Sequence, residues 1–149
     1  VIGEFLQIFV SSYQSHLSKT TMSHFSQIKT QIRNLSSLQS ALNDLGIDWK
    51  SGPCEVRGYR GQTHAAEIAI EQENGYDIGF RWNGTEYELV ADLQFWRQEW
   101  TVDRFLSHVT QRYAYHTVLS ETTPKGFQVT EEQKNSDGSI RLVLQRWSA

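Results

Sequence analysis

Arg57, Tyr59 and Arg60 form a small cluster of two cations and an aromatic ring. Such a group stacks single-stranded nucleic acid when it sits in a positive groove. Here Glu55, Glu67, Glu71, Glu86 and Glu88 surround it, and the chain carries a net charge of -3, so a nucleic-acid role is disfavoured. With Asp77 and Arg112 the same residues could line a cleft for a small ligand or an enzyme reaction. Asp77, Glu88 and Asp92 offer carboxylates for general acid and base work, but no spacing marks a pair. His108, Arg112 and Tyr115 share one helical face, which reads either as a solvated face or as an anion or partner patch. His108 and His116 lie two helical turns apart, too far to bind one metal directly, and His24 and His64 lack zinc-site spacing. The single Cys54 points to a reducing compartment and reads as a small core hydrophobe. There is no glycine-rich phosphate loop and no nucleophile elbow, so neither a cofactor nor a metal is expected.

A second group stands out by location. Leu93 to Trp100 places Phe95, Trp96 and Trp100 in a connector between a strand and a helix, where polar residues are usual. Either the rings cap the open end of a core, or Trp96 and Trp100 anchor a partner, since Trp and Arg are favoured in interface hot spots. Capping is the preferred reading.

These residues have to be positioned by strands whose faces alternate with period two. Asn83-Gly84 is expected to form a two-residue turn, setting Phe80 opposite Tyr87 and Ile78 opposite Leu89. At Asn74-Gly75 a two-residue loop would turn Ile68 and Ile70 to the polar face. A three-residue loop, Glu73 to Gly75, instead sets Ile70 opposite Ile78 and Ile68 opposite Phe80. A similar loop at Gly61-Gln62-Thr63 sets Val56 opposite Ile68 and Cys54 opposite Ile70. The result is an antiparallel four-stranded meander, about 54–60, 64–72, 76–82 and 85–93. Arg57, Glu67, Arg81 and Glu86 form a charge-alternating row on its outer face.

Thr101 is expected to cap an amphipathic helix over about 101–119, with Val102, Phe105, Leu106, Val109 and Tyr113 on the stripe that packs against the meander. Asn34 is expected to cap a Leu-rich helix over about 34–46, ended by Gly46, which lies beside it. Ser23 to Ile32 reads as a strand, with a longer helix as the alternative, and Ser51-Gly52-Pro53 reads as a turn. A hairpin around Asp137-Gly138 closes an α+β domain spanning 22–149. Val1 to Thr21 lacks a basic region and a cleavage site, and its apolar part is too short to span a bilayer. We read it as a non-native leader from a start placed too far upstream; the alternative is an amphipathic anchor.

The stretches MSHFSQIKTQI from Met22, EVRGYRG from Glu55, NGYDIGFRWNG from Asn74, YELVADLQFW from Tyr87, QRYA from Gln111 and DGSIRLVLQRW from Asp137 resemble the conserved hypothetical plastid and cyanobacterial reading-frame family ycf thirty-five, a domain of unknown function. The resemblance implies a photosynthetic lineage and a cytoplasmic or stromal location, and it brings no assigned activity or catalytic residue. The residues themselves favour a non-enzymatic accessory or interaction factor, docking a protein partner through the sheet's outer face or the Phe95 to Trp100 connector. The alternative is a ligand binder or enzyme using the cleft near Arg57, Tyr59, Asp77 and Arg112. Oligomeric state is left open.

Overall fold

The computed structural model describes residues 2–10, 19–22 and 25–148. Two antiparallel sheets share the long helix as their common support. The larger sheet has the strand order β2-β3-β7-β6-β5-β4, from β2 (Lys19–Met22), β3 (Phe25–Ile32), β4 (Lys50–Arg57), β5 (Thr63–Ile70), β6 (Ile78–Trp82) and β7 (Tyr87–Ala91). The smaller sheet has the order β1-β9-β8, from β1 (Ile2–Val10), β8 (Gln128–Lys134) and β9 (Ile140–Ser148). The fold is α+β. The expected meander is present, β3 adds to it beside β7, and the C-terminal hairpin joins β1 in a separate sheet. Of the segment read as a leader, Ile2–Val10 runs along β9 and Lys19–Met22 along β3; His24 lies outside the described residues.

Both helices begin where their caps are expected. Asn34 Oδ1 accepts from Ser37 N at 2.9 Å ahead of α1 (Leu35–Asp44), and Thr101 Oγ1 accepts from Arg104 N at 3.3 Å ahead of α2 (Val102–Thr122). These bonds satisfy backbone donors that have no partner within the helix. At 1.5 Å per residue α2 is about 30 Å long, enough to reach both sheets. Phe105, Leu106 and Val109 in its first half pack with Leu38 and Leu42 of α1 on Ile68, Ile78, Phe80 and Leu89. Ala114, Tyr115 and Val118 in its second half cover Ile140, Leu142 and Leu144 of the smaller sheet.

The register agrees with the sequence reading at one turn and departs from it at two. Ile70 lies opposite Ile78 and Ile68 opposite Phe80, as the longer loop at Asn74-Gly75 requires, and Gly75 has φ +81°. At the next hairpin Phe80 lies opposite Leu89 and Trp82 opposite Tyr87, because the loop has four residues rather than two. Asn83 is the cause: its Oδ1 accepts from Thr85 N and Glu86 N, both at 2.9 Å, and its N–H donates to Glu86 O. Its side chain thereby supplies the turn that the backbone was expected to make. The slip is two residues, so every side chain keeps its expected face.

The β4–β5 pairing differs more. Val56 lies opposite His64 and Cys54 opposite Ala66, while a bulge between Ser51 and Cys54 replaces the expected turn at Gly52-Pro53. Bulges add twist. Here β4 curls over the face of the sheet away from the helices, where Val56, Ala66, Ala69, Val90 and Phe25 make a second apolar cluster with Cys54 at its margin. Gly79 permits this close approach, since a Cβ there would stand 2.4 Å from Val56 Cγ2. The curl also dismantles the expected charge row. Arg57 pairs with Asp77, Glu67 accepts from Trp82 N at 2.7 Å, and Arg81 faces Glu88 across β6 and β7.

Candidate functional site

The site residues named from sequence fall into three groups. Arg57, Tyr59, Arg60 and Asp77 come together at one end of the larger sheet. Asp77 is 3% exposed and carries the arrangement: Oδ2 accepts from Arg57 N at 2.9 Å and from Nε at 2.8 Å, and Oδ1 accepts from Nη2 at 2.8 Å. The pairing raises the Arg57 guanidinium above its ordinary value, the hydrogen bond to Asp77 contributing most. A two-pronged contact of this kind fixes direction as well as distance.

Past Arg57 the chain makes a tight 3₁₀ turn, Tyr59–Gly61, closed by Gly58 N to Gln62 O at 2.7 Å and Gln62 N to Tyr59 O at 3.1 Å. Arg60 sits there at φ +54°, ψ +39°, a left-handed conformation that costs a residue with a Cβ roughly 1–2 kcal/mol. Its guanidinium lies 5.0 Å above the Tyr59 ring. Tyr59 in turn stacks on Phe95 at 6.0 Å between centroids, and Phe95 stacks on Tyr76 at 4.0 Å. Asn74 Nδ2 and Gln72 Nε2 both donate to Phe95 O, at 2.9 and 3.2 Å, tying the connector to the β5–β6 loop. Between the two loops lies an open cleft of about 450 Å³, lined by Arg57, Arg60, Gln62, Thr63, Asn74 and Tyr76 together with glycines, and by no Asp or Glu among the described residues.

Trp96 and Trp100 belong to the second group. Both pack against the main core. Trp96 meets Phe105 edge-on at 5.2 Å and donates from Nε1 to Trp100 O at 2.8 Å, while Trp100 stacks on His108 at 4.1 Å. Burial, with lesser contributions from Arg104 and Lys134, keeps the His108 imidazole below its ordinary value of 6.5 and so favours the neutral ring against Trp100. The connector thus caps the open end of the core.

Arg112 forms the third group, apart from the Arg57 cleft. It donates from Nε to Asp44 Oδ2 at 2.9 Å and from Nη1 to Glu132 Oε1 at 3.0 Å, and its guanidinium covers Tyr115 at 4.2 Å. His116 Nε2 reaches the same Asp44 oxygen at 2.6 Å. This cluster joins α1, α2 and β8, with Asp44 and Glu132 missing from the residues named from sequence and His116 named there only in relation to metal binding. Burial alone would raise the Asp44 carboxyl, but hydrogen bonds from His116 and Arg112 outweigh it and hold the group below its ordinary value of 3.8. A carboxyl depressed on folding stabilises above its unfolded value, and that stabilisation is lost as the pH falls through the folded one. Asp44→Asn is therefore expected to cost about 1 kcal/mol at neutral pH. It should also flatten the fall of the thermal midpoint below 3.8, measured by circular dichroism melts across acid buffers.

Asp77, Glu88 and Asp92 are all buried. Glu88 Oε1 accepts from Asn83 Nδ2 at 2.7 Å and Asp92 Oδ1 from Gln94 N at 3.2 Å, which are loop-holding roles. Among the described residues no three His, Cys, Asp or Glu side chains converge to hold a metal. Tyr76, which lines the cleft, and Phe95, which stacks against both Tyr76 and Tyr59, are the aromatic residues that sequence reasoning did not place at the site, and the polar lining residues Gln62, Thr63 and Asn74 were not placed there either. The one signal for the two rings is an aromatic immediately after Asn74-Gly75 and another in the apolar connector.

The chain matches the family model described as "Protein of unknown function (DUF1257)" over residues 41–143. It is 52% identical over 126 residues to "Uncharacterized protein ycf35" of Guillardia theta, which covers 85% of this chain and 98% of that one. The chain belongs to this family. Other ycf35 relatives are those of Cyanophora paradoxa, 48% identical over 126 residues, and Pyropia yezoensis, 42% identical over 127 residues. These alignments cover 98% and 99% of the relatives and 85% of this chain. No solved structure matches the chain significantly. The ycf35 relatives are plastid-encoded, and among the described residues no helix is long and apolar enough to cross a membrane.

Proposed function

We propose that this ycf35-family protein is a non-enzymatic accessory factor of the cytoplasm or plastid stroma that works by binding a protein partner, and that the cleft between the Gly58–Gln62 and Asn74–Tyr76 loops is where it binds. The observation that carries this reading is the way the cleft is held. A buried carboxylate fixes Arg57, and a stack of Tyr59, Phe95 and Tyr76 fixes the two loops against each other. Arg60 is left exposed at the rim in a conformation that the surrounding bonds must maintain. Strained, pre-organised loop residues are characteristic of sites that recognise something. The capping role of Trp96 and Trp100 moves the recognition surface away from the connector and toward this cleft.

The reading is tested by affinity purification of the full chain from its native cells, comparing wild type, Arg60→Glu and the charge reversal Lys29→Glu on the exposed side of β3. A partner retained by wild type and Lys29→Glu, and lost with Arg60→Glu, is the expected result. Equal recovery with all three chains overturns it.

A further inference from the structure

We infer that the group recognised in this cleft is an oxyanion, a phosphate or a carboxylate, held between the guanidinium groups of Arg57 and Arg60. The inference rests on the cleft being the recognition site and adds the chemistry of what enters it.

Charge is layered here. The carboxylate of Asp77 is buried beneath, 3% exposed, and both its oxygens are taken up by Arg57. Arg57 uses Nε and Nη2 in that contact, which leaves Nη1 outside the pairing, and its side chain remains 53% exposed where the residue lines the cleft. Arg60 adds a second guanidinium, exposed at the rim and steadied over Tyr59. A ligand entering the cleft therefore meets the Arg60 guanidinium, the outer part of an Arg57 whose charge is balanced by Asp77 from below, and no lining carboxylate among the described residues. Two guanidinium groups present N–H donors in planar forks, which suit the paired oxygens of phosphate and carboxylate. The turn itself adds to this. Its closing bonds use the amides of Gly58 and Gln62, while those of Arg60 and Gly61, at successive positive φ, are not used by it. Consecutive amides in such a turn form concavities that favour anions. At about 450 Å³ the open cleft has room for more than a bare oxyanion, with Asn74, Gly75 and Tyr76 available to whatever carries it.

The test is amide NMR on the full chain, titrated separately with inorganic phosphate, phenyl phosphate and acetate at constant ionic strength. Expected are saturating shifts at Gly61, Thr63 and Gly75, weakened about tenfold in Arg60→Ala, as loss of one charge-assisted contact implies, and weakened further by added salt. Phosphate probes binding without acetate assign the source as a phosphate ester; acetate binding at least as well assigns a carboxylate. Shifts absent for all three probes, or unchanged in Arg60→Ala, overturn the inference. If the probes fail while partner retention still depends on Arg60, the cleft stands as recognition site and the oxyanion falls. If the probes bind while retention ignores Arg60, the reverse holds.

Discussion

Phe80→Asp is expected to abolish the cooperative unfolding transition, whereas Arg81→Ala is expected to leave the thermal midpoint within a few degrees of wild type. The two residues are adjacent on β6 and point to opposite faces. Phe80 is 0% exposed and sits among Ile68, Leu89, Phe105 and the helix leucines. Truncating a buried Phe alone costs about 3–5 kcal/mol, and a carboxylate in its place must either be desolvated or neutralised, which adds several more. Against a domain stability of about 5–15 kcal/mol, that sum leaves little folded protein. Arg81 faces Glu88 on the other side of the sheet, where a cross-strand pair is worth about 0.2–1 kcal/mol. Circular dichroism melts of the two variants decide the matter. If both fold equally well, the helix-covered face of the sheet has been misassigned.

That contrast was legible from sequence because it depends only on parity. The hairpin at Asn83-Gly84 was expected two residues tighter than it is, and the error left Phe80 inward and Arg81 outward. Helix starts were legible for a similar reason: Asn34 and Thr101 act within one turn of chain, so neighbouring residues suffice to identify them. The β4 strand was not, since its path depends on a bulge at Gly52-Pro53 and on what lies across the sheet from Val56. Alternation predicts a flat four-stranded surface, and nothing in the spacing of Cys54 and Val56 says that they fold over to the opposite face.

The cleft was half legible on the same principle. Arg57, Tyr59 and Arg60 stood out as a local cluster, and Asp77 was grouped with them. Arg112 was included on charge alone, and the structure places it with Asp44, Glu132 and His116. Phe95 was noticed as an apolar ring in a loop. Its position between Tyr59 and Tyr76 follows from how the connector is tied to Gln72 and Asn74, contacts across more than twenty residues of chain that no local pattern encodes.

The second apolar face gives the other large effect. Gly79→Ala places a Cβ 2.4 Å from Val56 Cγ2 and 3.0 Å from the Ala66 Cβ, closer than packed carbons can approach. Val56 and Ala66 are themselves buried, so the curl of β4 must lift or β6 must shift. Overpacking of this kind costs about 1–3 kcal/mol, the upper end being expected because β4 also carries Arg57 to Asp77. Val56→Ala alone loses two methyl groups of burial, at about 0.8 kcal/mol each plus the cavity left behind. Together the two changes should cost less than either sum or separate penalties imply, since the smaller residue at 56 vacates the space that the new methyl at 79 needs. Residues in contact show such coupling at about 0.5–3 kcal/mol. Urea melts of wild type, both single variants and the double variant measure it. Additive losses would mean that Val56 does not close on Gly79, and that β4 follows the flat register in which Val56 faces the helices beside Ile68.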